Sequence, residues 1–305
     1  MNSGARCVVG LAVSILLLIA GIFLLKAGTY GWTIFVVFPV VAGGLSAWVF
    51  RPATWLRALG TGALTLTGAA SCFLLLGQEG LLCVLMSLPL AVPLGALGSW
   101  LVYIAGSPRL RARSAAMLLL LPAASVTWDL KAPPPVYEVR TAIVVRATPV
   151  LVWRNVVTFS ELPEPAEWFF RAGLAYPKRA RIEGSGPGAV RYCEFSTGAF
   201  VEPIEVWDEP RLLRFRVTEN PPPMREWNPY ADVVPRHLHG YLVSKRGQFR
   251  LTQLADGQTL LEGTTWYQHG LWPAEYWRWW SDAIIHRIHL RVLNHIRILA
   301  ERRQW

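Results

Sequence analysis

The sequence predicts an α-helical membrane bundle of four to five spans followed by an α+β domain in which seven antiparallel strands wrap a long C-terminal helix. Three observations carry this reading. Charge is scarce and unevenly placed: the 305 residues are 53% hydrophobic and 16% charged, against roughly 25% charged in a typical soluble chain. Residues 1–130 hold only seven basic residues (Arg6, Lys26, Arg51, Arg57, Arg109, Arg111, Arg113) and two acidic ones (Glu79, Asp129). That same half contains four apolar stretches near the length of about 20 residues that a bilayer crossing requires. After Ala132-Pro-Pro-Pro135 the pattern changes from continuous to alternating hydrophobicity, the period of half-buried strands. High hydrophobicity excludes intrinsic disorder. The net charge of +10 forms no dense basic stripe, so no nucleic-acid partner is expected.

The apolar stretches are Cys7–Leu25, Gly31–Phe50, Ala58–Leu76 and Gly80–Gly106, none with a charge in its interior. A helix apolar all round finds its environment in lipid rather than in water. A fifth stretch, Ala115–Trp128, is shorter, carries Pro122 and ends at Asp129. With the N-terminus in the cytoplasm, every basic residue of the short loops except Lys26 lies inside, as the positive-inside bias requires. The fifth stretch then sets the side of the remainder. The Arg109–Arg113 run before it and the Trp128/Lys131 anchors after it favour a crossing, which places the C-terminal half on the outer face. Lying along the interface, it would leave that half cytoplasmic. Gly43-Gly44, Gly60/Gly62 and Gly95/Gly98 are expected to permit close helix contact. No ionisable residue lies within the spans, so a packed anchor is expected rather than a proton or ion path.

The chain is thus read as a membrane region over 1–130, a stiff proline linker at 131–135 and a domain over 136–305. Val136–Ala147 alternates and is rich in β-branched residues, a strand. Thr148-Pro149 opens a helix through Phe159, and a short helix carries Trp168 and Phe169. Strands follow at Ala180–Glu183, Ala189–Phe195, Phe200–Trp207, Leu212–Thr218, Gly247–Leu254 and Thr259–Gln268. Turn signals separate them, including Asp208-Glu-Pro210 and Ala255-Asp-Gly257. A Pro-rich loop runs from Asn220 to Gly240. Pro273–Arg303 is one helix with Ile284, Ile285, Ile288, Val292, Ile296 and Leu299 along one face.

This order resembles the Bet v 1-like helix-grip superfamily, also called START-like or SRPBCC, over roughly Val136–Glu301. Ile143-Val-Val-Arg-Ala-Thr-Pro-Val-Leu-Val-Trp153 is similar to its strand and helix start. Glu183-Gly-Ser-Gly-Pro-Gly188 is similar to its glycine-rich turn, and Glu262-Gly-Thr-Thr-Trp266 to its last strand. Many such chains are labelled polyketide cyclase/dehydrase or lipid transport. The resemblance implies a cavity between sheet and last helix that holds a hydrophobic or amphipathic ligand. No cofactor is expected.

Candidate site residues follow. Trp266, Tyr267, Trp272, Tyr276, Trp277, Trp279 and Trp280 crowd the junction of last strand and helix, where aromatics suit a wet-dry boundary. Trp227 and Tyr230 in the Pro-rich loop are read as part of a lid. Trp227, Tyr230, Trp266, Trp272, Tyr276, Trp280 and His295 are therefore the expected ligand contacts. His295, about 20° from Ile288 on the helical wheel, and Glu262 are the candidates for acid-base chemistry. A metal site from His237, His239 and His269 is weighed against solvated loop histidines, and no metal is expected. The preferred function is binding or transfer of a lipid- or isoprenoid-like ligand at the bilayer. A cyclase- or hydrolase-type enzyme and an interaction module with a membrane-protein partner are the alternatives.

Overall fold

The computed structural model describes residues 3–28, 30–129, 134–230 and 234–302. They form two compact units. The first comprises 1–133 with the later segments Glu226–His237 and Gly270–Glu275; the second comprises Pro134–Arg225, Leu238–His269 and Tyr276–Trp305. Of the linker expected at 131–135, residues 131–133 lie outside the described residues.

The first unit contains α1 (Ser3–Ala27), α2 (Phe38–Phe50, entered through π-helical Thr33–Val37), α3 (Trp55–Leu75), α4 (Leu81–Ile104), α5 (Pro108–Leu118) and α6 (Leu121–Asp129). Four segments are long and apolar enough to cross a membrane: Val8–Ala27, Thr33–Phe50, Trp55–Leu75 and Leu81–Ile104. Val8, Leu11, Leu16 and Phe23 of α1 are exposed. Polar side chains on α3 are satisfied within the helix. Thr61, Thr65, Thr67 and Ser71 each donate to the carbonyl four residues back, so none needs water.

Glycine contacts hold α2, α3 and α4 together. A Cβ at Gly43 or at Gly62 would run into the Gly95 carbonyl, and one at Gly98 into that of Val40, whereas Gly60 faces open space. The expected closeness thus applies to Gly62 and not to Gly60. Gly43→Ala should lower the thermal midpoint of the detergent-solubilised chain, an overpacking cost of about 1–3 kcal/mol. Gly60→Ala should leave it unchanged or raise it, since Ala is the better helix former. Equal midpoints for the two variants would refute this account.

The fifth apolar stretch is not one helix. Its first residues close α5, a turn follows at Leu119–Leu120, and α6 completes it. At the far end Asp129 accepts bonds from the Trp32 and Thr33 amides (2.8 and 2.9 Å) and from Thr33 Oγ1 (2.7 Å). Its carboxylate caps the free N–H groups that begin the second candidate span.

The second unit is a seven-stranded antiparallel sheet in the order β1-β7-β6-β5-β4-β3-β2. The strands are β1 Val136–Val145, β2 Pro177–Glu183, β3 Val190–Phe195, β4 Gly198–Asp208, β5 Leu212–Arg216, β6 Leu242–Gln253 and β7 Thr259–His269. Helices α7 (Pro149–Val157) and α8 (Trp168–Arg171) connect β1 to β2, and α9 (Ala274–Arg302) ends the chain. Gly184, Gly186 and Gly188 have φ of +85°, +79° and +91° and turn β2 into β3. Strand β6 begins five residues before the alternation shows it. Lys245 and Arg246 interrupt the apolar pattern, and the register shifts between Ser244 and Arg246. Val145, Val152, Leu213, Leu261, Leu293 and Ile296 form the centre of the core, fully buried.

Candidate ligand-binding cavity

From Ile285 onward the buried residues of α9 are Ile285, Val292, Leu293, Ile296 and Ala300. At 100° per residue their centre lies roughly 90° round the helix from Ile288. That rotation decides which histidine meets the sheet. His289, within about 20° of the centre, lines a cavity between sheet and helix, and His295 does not. The expectation for His295 rested on an apolar face centred at Ile288, but Ile284, Ile288 and Leu299 border the buried face and are only partly buried.

The cavity measures about 150 Å³, the size that accepts one aromatic ring in an engineered protein interior. Phe195, Phe200, Phe215, Phe249, Met224 and Ile288 are among its apolar walls. The polar groups are few: Arg191, Glu202, Gln248, Thr264, Thr265 and His289 among them. Asn220–Met224, the start of the Pro-rich loop, also lines it. An apolar space with a few placed polar groups is the usual form of a small-molecule site.

Arg191 on β3 and Glu202 on β4 are register partners. Their side chains are 2% and 8% exposed and form a direct ion pair. The Arg191 guanidinium also lies 5.5–5.6 Å from the ring centroids of Phe159, Phe215 and Phe249. Its Nε donates to the Val157 carbonyl (3.3 Å), while Nη2 is buried without a hydrogen-bond partner among the described residues. Burial pushes the Glu202 carboxyl above the usual range, and Arg191 opposes that rise. The neighbouring Cys193 thiol is pushed up to about 12, mainly by burial. It stays protonated and is a poor nucleophile.

His289 is held on both sides. Thr265 Oγ1 lies 2.7 Å from its Nε2 and Thr141 Oγ1 3.1 Å from its Nδ1. Thr141 also meets His286 Nδ1 at 2.8 Å. Burial first, and His286 second, depress the His289 pKa to about 4. The imidazole is therefore neutral at neutral pH.

None of the seven ligand contacts read from the sequence lines this cavity. Trp227, Tyr230 and Trp272 belong to the first unit. The first two are exposed, and the Trp272 amide donates to the Tyr30 carbonyl (3.2 Å). Trp266 Nε1 donates to Glu138 (2.9 Å). Tyr276 packs edge-on against Trp277, and Trp280 against Trp279. His295 sits beside Ser160 (3.4 Å) and Phe159, with its pKa lowered chiefly by burial. Glu262 precedes Gly263, which lines the cavity, so the pleat sends Glu262 to the other face. There it stands 3.9 Å from Arg140. Of the three loop histidines, His239 is exposed, His237 is buried in the first unit, and His269 stacks on Tyr137 in the second. The solvated-loop reading therefore describes His239 alone.

Sequence reasoning missed Arg191, Glu202 and His289. The signal for Arg191 was present: it shares the two-residue period of Ala189 and Cys193, both buried, and an arginine on a buried stripe must have a partner.

No family model matches the chain, and no curated protein matches it. Solved structures do. Norcoclaurine synthase from Thalictrum flavum, a point mutant in complex with a transition-state analogue, is 10% identical, covers 57% of this chain and 100% of its own, and has a TM-score of 0.38. The Zhui aromatase/cyclase from Streptomyces sp. R1128 is 18% identical, with 56% and 97% covered and a TM-score of 0.35. Ara h 8.0201 is 14% identical, with 54% and 98% covered and a TM-score of 0.34. The second unit itself has the arrangement expected from the sequence, seven antiparallel strands and a long C-terminal helix.

Proposed function

We propose that the chain is a membrane-anchored protein whose second unit binds a small hydrophobic ligand carrying a polar group. The observation that carries this reading is the cavity: aromatic and aliphatic walls, with Arg191, Glu202 and His289 among the ionisable groups that line it. The four apolar helices support the anchor. A domain joined to that anchor by a few residues meets bilayer-dissolved molecules at high effective concentration. The Lys/Arg bias supports an outer-face position for the domain, and so does the path of α5 and α6. That path starts just after α4 ends and finishes at Asp129, against the turn between α1 and α2. Binding is favoured over cyclase or hydrolase chemistry because both His289 nitrogens meet threonine hydroxyls and Glu202 is paired with Arg191.

The test uses the full chain in lipid nanodiscs, extracted with solvent and analysed by mass spectrometry. A near-stoichiometric organic molecule is expected. Ile288→Trp, which fills the cavity, should weaken binding of that molecule, or of an anilinonaphthalene probe, by roughly tenfold or more (about 1.4 kcal/mol). A folded protein that yields no molecule and binds no probe would end the proposal.

A further inference from the structure

Away from the cavity, the first unit contains a cluster of three residue types that bind transition metals, two of them buried and one half-buried. Glu79, Cys83 and His237 each offer a ligand atom, and these atoms lie within 4.8 Å of one another. The local sequence builds the cluster. Glu79 sits in the break between α3 and α4, and Cys83 follows it by four residues in the first turn of α4. His237 arrives from the segment Glu226–His237, which is tied to the same place by several bonds. The Leu81 amide donates to the Trp227 carbonyl (2.8 Å). Glu226 accepts from the Leu82 and Cys83 amides, both at 2.9 Å. Asn228 Nδ2 donates to the carbonyls of Leu74 (3.0 Å) and Glu79 (2.7 Å). Any Cβ at position 80 would collide with the Glu226 side chain, so a glycine is needed there.

The cluster has a polar deficit. His237 is 7% exposed and Glu79 4%. Among the described residues, neither His237 ring nitrogen nor Glu79 Oε2 has a hydrogen-bond partner. Carboxylates nevertheless flank the ring: His237 Nδ1 is 3.3 Å from Glu79 Oε2, and on the other side Nε2 is 3.5 Å from Glu226 Oε1. Buried polar groups left unpaired are costly and rare, and a cation between Nδ1, Oε2 and the Cys83 sulfur would satisfy two of them directly. The outer contacts suit that role. The Tyr30 hydroxyl donates to Glu79 Oε1 (2.6 Å), leaving Oε2 for the ion. Glu226 lies where it would accept Nε2–H, the carboxylate–histidine arrangement that fixes a metal-bound imidazole. A sulfur, a nitrogen and an oxygen ligand select zinc over magnesium or calcium, which take oxygen.

We propose that Glu79 Oε2, Cys83 Sγ and His237 Nδ1 form a zinc site that fastens the segment Glu226–His237 to the start of α4. Binding displaces the Cys83 thiol proton to solvent. Water takes the fourth position. This site is independent of the ligand cavity, and its failure would leave the ligand reading standing.

The experiment uses the full chain without a polyhistidine tag, solubilised in detergent. Elemental analysis should find about one zinc per chain, falling to background in Cys83→Ser and His237→Gln. After chelation, cobalt should restore one equivalent of metal, with visible bands of a tetrahedral site and a thiolate charge-transfer band that Cys83→Ser lacks. If the variants do not fold, the wild-type protein still decides. Its thermal midpoint should rise when zinc is returned after chelation. A folded wild-type protein that takes up neither metal, or whose midpoint zinc does not move, would overturn the proposal in favour of a proton-bridged Glu79–His237–Glu226 cluster. So would a Cys83→Ser variant with wild-type zinc content and cobalt spectrum.

Discussion

Glu202→Leu should destabilise the second unit by about 3–5 kcal/mol, the usual consequence of removing one partner from a buried ion pair. The reason is what remains. Arg191 is 2% exposed at the side chain, so its charge would be left almost wholly desolvated. Its other contacts are the Val157 carbonyl and three aromatic faces, none of which carries a full negative charge. The reciprocal change, Arg191→Met, should cost less, because burial already pushes the Glu202 carboxyl toward its neutral form. The double variant Arg191→Met/Glu202→Leu should recover most of the loss, as apolar replacement of buried pairs often does. Denaturant unfolding of the full chain, followed by tryptophan fluorescence, measures all three. A double variant as unstable as Glu202→Leu alone would show that the pair contributes more than mutual charge compensation. If the cavity takes a ligand with an anionic group, the same series should separate stability from binding. The double variant would then be folded but would have lost the unpartnered Arg191 Nη2 donor.

Much of the architecture was legible in the sequence, because it depends on patterns longer than any one contact. Span lengths, the change of period after residue 135, the glycine turn at 184–188 and the apolar face of α9 all register as repeats or breaks. The site was less legible, and the reasons are geometric. A helix face read from Ile288 is off by roughly 90° once the buried residues from Ile285 onward are counted, enough to exchange His295 for His289. The alternation does not fix the pleat phase, so Glu262 stood as a candidate for the cavity. In the structure it turns toward Arg140. The aromatic cluster after residue 266 was a compositional signal without a direction. Its members divide between the two units. The cluster at Glu79 was invisible for another reason: Cys83 and His237 are separated by over 150 positions. A lone acidic residue in a three-residue break between two apolar stretches was the only local hint, and such a residue reads as a functional site by default when it sits at membrane depth.

Acid should unfold the second unit in a specific window, and His289 should be a major cause. Its pKa is about 4 in the folded chain, depressed by burial and by His286, against about 6.5 when unfolded. Between those values the unfolded state binds more protons than the folded one, so stability rises with pH and falls as pH drops. The contribution is fully present above pH 6.5, declines below it, and by pH 4 has cost about 3 kcal/mol. The groups that face this imidazole are Thr141, Thr265 and His286. The hydroxyls can accept from either ring nitrogen but supply no negative charge to hold a second proton. His289→Gln should keep a bond to Thr265 and remove the titration. The variant would be less stable at pH 7.5 but should lose less on acidification, so the two curves of stability against pH converge toward pH 4. Parallel curves would mean that other groups govern the acid limb and that His289 is protonated at little cost. A convergent pair would establish a neutral imidazole at the cavity wall. Any polar ligand group there would then meet a hydrogen-bonding ring instead of a cation, which leaves Arg191 as the buried positive charge able to select for an anion.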